Sequence, residues 1–177
     1  MSASGAVIMS LFAAIWWLVG VSASGHGSGP MYGIPLAVTA GILVVALRRQ
    51  RDPASESAVE RRRQGRLVGI ASGVEGLVIF LAINVLANVG RPDWAAPVIA
   101  IIVGLHFLPL ARWLPARLYY LTGGLLVALG LLGFRILDPA ARLLVVSVGA
   151  ACVLWLTSAE VLRVSASPRE RHSVLGT

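Results

Sequence analysis

Long apolar runs constrain this chain more than any other feature. Continuous apolar segments occupy positions 5–23, 31–47, 67–88, 94–111, 118–137 and 142–163. A helix needs roughly 20 apolar residues to cross a bilayer core, and unbroken apolar runs do not fit the alternating pattern of barrel strands. The sequence therefore predicts an all-α polytopic membrane protein, with six transmembrane helices in one bundle and a single domain over residues 1–177.

Composition agrees with a membrane protein and argues against a nucleic-acid partner. Only 13% of the residues are charged, against about 25% in soluble domains. The net charge of +7 comes from arginines that stand in short runs between apolar segments, so they are interpreted as topology signals and lipid contacts. All fifteen basic residues are arginine, which together with many Ala, Gly and Val residues is typical of a GC-rich bacterial genome.

The distribution of arginine predicts the orientation. The loop at 48–66 holds seven of the fifteen arginines, and twelve lie on its side of the membrane if all six segments span. The positive-inside rule then places both termini in the cytoplasm, in a bacterial cytoplasmic membrane. The first segment is interpreted as a span rather than a signal peptide, because no basic residue precedes it.

The predicted basic loop at 48–66 and the polar tail at 164–177 are interpreted as solvated segments. The loop has an alternative role in binding anionic lipid headgroups, for which the candidate residues are Arg61, Arg62, Arg63 and Arg66. On the other side of the membrane, Asp138 is expected to pair with Arg135 or with Arg142.

A weak internal similarity raises the possibility of a repeat. The stretch "TAGILVVAL" from Thr39 resembles "TGGLLVALG" from Thr122, and "LVGV" at 18–21 resembles "IVGL" at 102–105. Three spans followed by three more would form an inverted repeat, an arrangement that many transporters use. Since Leu, Val, Gly and Ala dominate every segment, chance matches are the favoured explanation.

Two ionisable residues lie well inside apolar segments. Glu75 is nine residues past Arg66 in the third segment, and His106 is six residues before Arg112 in the fourth. At 1.5 Å per residue, Glu75 lies about 13 Å and His106 about 9 Å from the same side of the membrane, so on antiparallel neighbouring helices the two could meet. A charge at the centre of a membrane helix costs about 2.5–3.5 kcal/mol, which a Glu–His pair would reduce.

The pair has a functional and a structural interpretation. It could handle protons or bind a ligand, or it could be an interhelical contact that only holds two spans together. Pro109 removes the helical donor to the carbonyl of Leu105, which leaves a polar group beside His106. An equally good interpretation is that Pro109 only bends the helix as it leaves the membrane.

Further polar residues are candidates for lining such a site. Tyr119, Tyr120 and Thr122 enter the fifth segment from the side nearer the pair, and one tyrosine could point toward it. Asn84 lies about 180° around the third helix from Glu75, so it is expected to bond a neighbouring helix or to line an outer vestibule. No metal-binding, nucleotide-binding or nucleophile motif is present in the sequence, and no cofactor is expected.

The stretch "VGLHFLPLARWLPARLYYLTGG" at 103–124, with Glu75 upstream, resembles a pattern found in small multi-span bacterial membrane proteins of unassigned function. The resemblance closely covers about one eighth of the chain. It implies a similar helical fold and a signature of Glu75, His106, Pro109, Tyr120 and Gly123, and it implies no activity.

Three functions are compatible with these features. The first is a protein that binds or passes a small solute or ion, with Glu75 and His106 as a protonatable site in the inner half of the bundle. The second is a membrane-embedded, metal-independent isomerase or cyclase that acts on a lipid or isoprenoid, with the same pair as acid and base. The third is an accessory subunit without a site. The lipid bilayer is the expected partner, and the chain could form a homo-oligomer.

Overall fold

The computed structural model describes residues 3–23, 25, 28–50, 58–113 and 118–166. Within these ranges the chain is all-helical. The six α helices are α1 (Ala3–Ala23), α2 (Gly29–Gln50), α3 (Ala58–Asn88), α4 (Ala95–Trp113), α5 (Leu118–Gly133) and α6 (Pro139–Ala166), with a short helical turn at Pro92–Trp94 before α4. Each predicted segment therefore falls on one of the six helices.

Five of the helices, all except α5, are long and apolar enough to cross a membrane. α5 has 16 residues and a length of about 24 Å, which is shorter than the bilayer core of about 30 Å. The predicted segment 118–137 was too long because the helix stops at Gly133. The next residues form a turn, and Asp138 caps the start of α6 by accepting a 2.6 Å hydrogen bond from the Ala141 amide.

The predicted solvated loop at 48–66 is wrong at both of its ends. α2 continues to Gln50 and α3 begins at Ala58. Within the segment 48–66, residues 51–57 are the ones that lie outside the described part of the chain. α3 thus runs without interruption from its arginines to Asn88. Most residues before Gly65 are good helix formers, and the next proline after α3 begins is Pro92, so nothing stops the helix at the membrane boundary. The predicted tail is described only as far as Ala166.

Small residues allow the central helices to approach closely. Ala6, Ala13 and Ala150 are fully buried where α1 and α6 pack together. α4 and α5 are closer still, because a Cβ atom added to Gly104 would lie 2.7 Å from the carbonyl oxygen of Gly123. The converse distance, from Gly123 to the oxygen of Gly104, is 2.6 Å. These two backbones touch, as small residues permit in membrane helices.

α3 is the exception to this close packing. Within the described residues it contacts only α4 and the helical turn before α4, whereas α4, α5 and α6 all contact one another. Helices α1, α2 and α3 would show the same mutual contacts if they repeated α4, α5 and α6. The helix packing therefore does not show the equivalence that a three-plus-three repeat requires.

A buried arginine joins two connections between helices near the C-terminal end of α3. Arg142, on α6, forms an ion pair with the carboxylate of Asp93 in the α3–α4 connection. The same guanidinium donates hydrogen bonds to the Ile136 carbonyl, from Nε at 3.0 Å and from an Nη at 2.7 Å. Arg142 thus ties the α3–α4 turn to the α5–α6 turn. The expected pairing of Asp138 with an arginine is replaced by its helix cap.

Candidate functional site

A groove of about 370 Å³ lies between α3 and α4. Its apolar walls are formed by Ile70, Ala71, Val74 and Val78 of α3 and by Ile102, Leu105 and Pro109 of α4. Among the described residues, the ionisable side chains that line it are Glu75 and His106. The groove therefore combines a hydrocarbon-like wall with two groups that exchange protons.

The two ionisable side chains face each other across the helix pair. His106 Nε2 lies 3.6 Å from Glu75 Oε2, and the side chains are 11% and 17% exposed, respectively. This separation is within ion-pair range but longer than a direct hydrogen bond. Both groups consequently keep hydrogen-bonding capacity for a third partner in the groove.

The groove lies at membrane depth and opens sideways. Glu75 is close to the middle of the apolar segment Gly65–Asn88. Ile70 and Val74 on the α3 wall are 57% and 58% exposed, and Leu105 on the α4 wall is 50% exposed. Because α3 has no helix neighbour other than α4 among the described residues, the groove faces the surface that lipid would cover.

Pro109 adds a third polar group to the groove. α4 continues through Pro109 to Trp113. Since proline has no amide hydrogen, the carbonyl of Leu105 lacks its usual helical donor. Leu105 and Pro109 both line the groove, so this acceptor lies one residue from His106.

α5 does not contribute the predicted lining residues. Tyr119 is buried and packs against Phe107, with ring centroids 5.5 Å apart. Thr122 is also buried, and its hydroxyl lies 2.8 Å from that of Thr157 on α6. Tyr120 is 46% exposed, and none of the three candidates on α5 lines the groove. The reason is that α3 and α5 pack on different faces of α4. Gly104 of α4 contacts α5 and His106 faces α3, and side chains two positions apart point about 200° apart around a helix.

Asn84 also lies away from the groove. Its amide nitrogen donates a 2.7 Å hydrogen bond to the Phe80 carbonyl of its own helix, and its side chain is exposed. Asn88 bonds the Asn84 carbonyl in the same way, at 2.9 Å. The Asn84 amide therefore bonds its own helix instead of a neighbouring one, and the alternative of an outer vestibule stays a prediction.

The arginines predicted to bind headgroups lie on a helix rather than in a loop. Arg62, Arg63 and Arg66 are exposed along the first turns of α3. Arg61 belongs to the same helix, but its side chain lies outside the described part of the chain. These residues therefore have fixed directions around α3, which an irregular loop would not give them.

Sequence reasoning missed the roles of Arg142 and Asp93. Both stand at the ends of apolar segments, where arginine and aspartate are normally solvated, so nothing in their spacing indicates a contact across 49 residues.

Among the described residues no cluster of three His, Cys, Asp or Glu side chains could hold a metal ion. At the groove, Glu75 and His106 can exchange protons and form hydrogen bonds.

One comparison with known proteins gives a match. A family model described as "Family of unknown function (DUF7010)" matches residues 1–163. No curated protein and no solved structure matches the chain. The family match covers the groove and both helices that form it.

Proposed function

The chain belongs to the DUF7010 family, and because the function of that family is unknown, we propose that this member binds a small amphipathic molecule at the α3–α4 groove. The ligand enters sideways from the lipid phase and places its polar group against Glu75 and His106. Its apolar part lies along the walls of the groove. The protein resides in the bacterial cytoplasmic membrane with both termini in the cytoplasm, and α5 completes six spans as a short helix.

The observation that carries this proposal is a polar pair placed in an apolar groove. Each ionised group costs about 2.5–3.5 kcal/mol at membrane depth. A contact that served only to join two helices would be cheapest if the helices sealed it completely. Here both side chains remain partly exposed to the groove, which is the arrangement that a binding site needs.

The apolar walls favour a ligand from the bilayer over a solute from water. Among the groove-lining residues only Glu75 and His106 carry polar side chains, so a hydrated ion would lose its water shell without replacement ligands. A hydroxyl or amine on a hydrocarbon chain loses less, because two or three hydrogen bonds are offered at one place. Proton exchange at Glu75 or His106 changes the charge of the site and therefore its affinity for the ligand.

An enzyme acting on an apolar substrate is the second candidate. The observation in its favour is that a carboxyl group and an imidazole face the same groove, at a separation that lets one donate and the other accept a proton. Such an enzyme would isomerise or cyclise its substrate without a metal. Conversion of a bound lipid or isoprenoid, abolished in Glu75→Gln, would distinguish it from a binding protein.

Carbodiimide labelling tests the groove in the intact protein. Dicyclohexylcarbodiimide partitions into the bilayer and adds to a protonated carboxyl group. We expect it to modify Glu75 in proteoliposomes, with mass spectrometry locating the adduct and Glu75→Gln as the control. Dodecanol should slow the modification several-fold, because its hydroxyl contacts the pair. Dodecane has the same chain without the hydroxyl and should protect little.

The two controls separate the outcomes. Equal protection by dodecane and dodecanol would mean that the groove only accommodates hydrocarbon, which contradicts the proposed polar contact. Absence of protection by either would contradict ligand binding and favour the accessory-subunit interpretation. Glu160, which is 42% exposed near the end of α6, should react with a water-soluble carbodiimide in wild type and in Glu75→Gln alike, and it serves as the positive control for carboxyl modification.

The Glu75–His106 contact should add little to stability. In a double-mutant cycle with Glu75→Gln and His106→Asn, we expect a coupling energy below about 1 kcal/mol, since interhelical polar contacts in membranes average roughly 0.6 kcal/mol. Unfolding in mixed micelles measures this value. His106→Asn should nevertheless reduce protection by dodecanol several-fold. A large coupling energy with unchanged protection would show that the pair is only a tie between helices.

A further inference from the structure

Arginines flank one end of the groove on both of its walls. Arg66 precedes the groove residue Ile70 by four positions, so the two share a face of α3. Arg112 follows the groove residue Pro109 by three positions and shares its face of α4. Both arginines are exposed. The end of the groove between them is called the arginine end.

The two arginines lie at similar depths in the membrane. The contact between Glu75 and His106 fixes the register of the antiparallel helices α3 and α4. Arg66 is nine residues from Glu75, about 13 Å along the axis, and Arg112 is six residues from His106, about 9 Å. The difference of about 4 to 5 Å is small beside the reach of two arginine side chains, so their guanidinium groups can contact one anion.

No carboxylate among the described residues neutralises this pair of charges. Neither Arg66 nor Arg112 forms an ion pair with a described residue, whereas Arg142 pairs with Asp93 and Arg163 with Glu160. Arg63 is also exposed and lies on the side of α3 near Ile70, which adds positive charge. A guanidinium is well suited to phosphate because its donors match two phosphate oxygens at once.

We propose that Arg66 and Arg112 bind the phosphate of an anionic bilayer phospholipid. Its acyl chain lies along the apolar groove, from Ile70 and Pro109 toward Glu75 and His106. The charge selects an anionic headgroup at the membrane surface, and the groove accepts the chain at membrane depth. The site is distinct from the proposed ligand contact at Glu75 and His106, although the lipid chain and the ligand share the groove.

Lipid retention by the full chain tests the site. The protein is purified from mixtures of phosphatidylglycerol and phosphatidylcholine with identical acyl chains, and bound lipid is counted by native mass spectrometry. Wild type should retain phosphatidylglycerol preferentially. In the double variant Arg66→Gln/Arg112→Gln, the ratio of retained phosphatidylglycerol to phosphatidylcholine should fall at least five-fold. A thermal midpoint equal to that of wild type in phosphatidylcholine shows that the variant is folded.

A second double variant removes the same charge elsewhere. Arg48→Gln/Arg163→Gln neutralises two exposed arginines on α2 and α6, on the same side of the membrane and away from the groove. We expect it to keep most of the preference. Equal losses in the two double variants would mean diffuse surface attraction and would overturn the site, as would the absence of any preference in wild type.

Two more measurements are needed. One separates the contribution of the acyl chain from that of the headgroup, and the other separates this lipid site from the proposed function. Glycerol phosphate, which has the anion without the chain, should not displace the retained lipid at millimolar concentration. Displacement would overturn the placement of the chain in the groove. Glu75→Gln should leave phosphatidylglycerol retention unchanged. In phosphatidylcholine vesicles, where no anionic lipid competes for the groove, Arg66→Gln/Arg112→Gln should leave protection by dodecanol intact, so either proposal can fail without the other.

Discussion

Replacing Gly123 with valine is expected to separate α4 from α5 and to destabilise the protein by about 3 kcal/mol or more. A Cβ at this position would lie 2.6 Å from the Gly104 carbonyl oxygen and 3.2 Å from the Phe107 Cβ. A backbone atom cannot move aside as a flexible side chain can, so the two helices must move apart along their contact. Equilibrium unfolding in mixed micelles measures the loss.

The neighbouring glycine provides a matched control. A Cβ added to Gly124 meets no atom within 4 Å, so Gly124→Val should change stability by less than about 1 kcal/mol. Valine has the same volume and the same helical propensity at both positions. Similar destabilisation by the two variants would show that α4 and α5 do not pack through Gly123. Two adjacent glycines permit close helix approach on either of two faces, and only the structure shows that Gly123 makes the contact.

Replacing Arg142 with glutamine should have the second large effect, about 2–3 kcal/mol of destabilisation, because it removes the charged donor that Asp93 pairs with. The carbonyl of Ile136 would also lose two donated hydrogen bonds. Arg142→Lys should restore only part of the stability, since one ammonium group cannot bridge a carboxylate and a carbonyl with the fork geometry of a guanidinium. Thermal unfolding of the purified variants measures these differences.

Arg135 is the control for the loss of charge. It is exposed in the same turn, and its side chain forms no ion pair with a described residue, so Arg135→Gln should remain near wild type. Asp93→Asn should be destabilised less than Arg142→Gln, because the asparagine can still accept a hydrogen bond from the guanidinium. Equal stability of Arg142→Gln and Arg135→Gln would contradict the role of Arg142 in joining the two turns.

Apolar segments predict helices well because a span needs about 20 apolar residues and little else competes with that requirement. The depths of Glu75 and His106 were predictable for a similar reason: the helical rise fixes position along the axis, and a short connection makes the helices antiparallel. Their proximity at 3.6 Å agrees with that reasoning.

The failures concern directions around the helices. Tyr119 and Thr122 were candidates for lining the site of Glu75 because they enter the membrane from the same side. Tyr119 instead packs against Phe107, and Thr122 faces Thr157 on α6. Depth gives no information on which helices are neighbours, and almost every face of these helices is apolar. The contact between Asp93 and Arg142 was missed for the same reason, since it depends on how two distant turns meet.

The single neighbour of α3 gives the groove walls different mechanical properties. α4 is held by α5 and α6, whereas α3 is held by α4 along its length and by the turn that Arg142 fixes at one end. A helix with so few contacts is displaced at low free-energy cost. The α4 wall of the groove is therefore stiff. The α3 wall is compliant and is anchored at the end where α3 meets the turn. We expect the width of the groove to adapt to the diameter of the bound molecule. α3 would bend, while α5 and α6 stay in place.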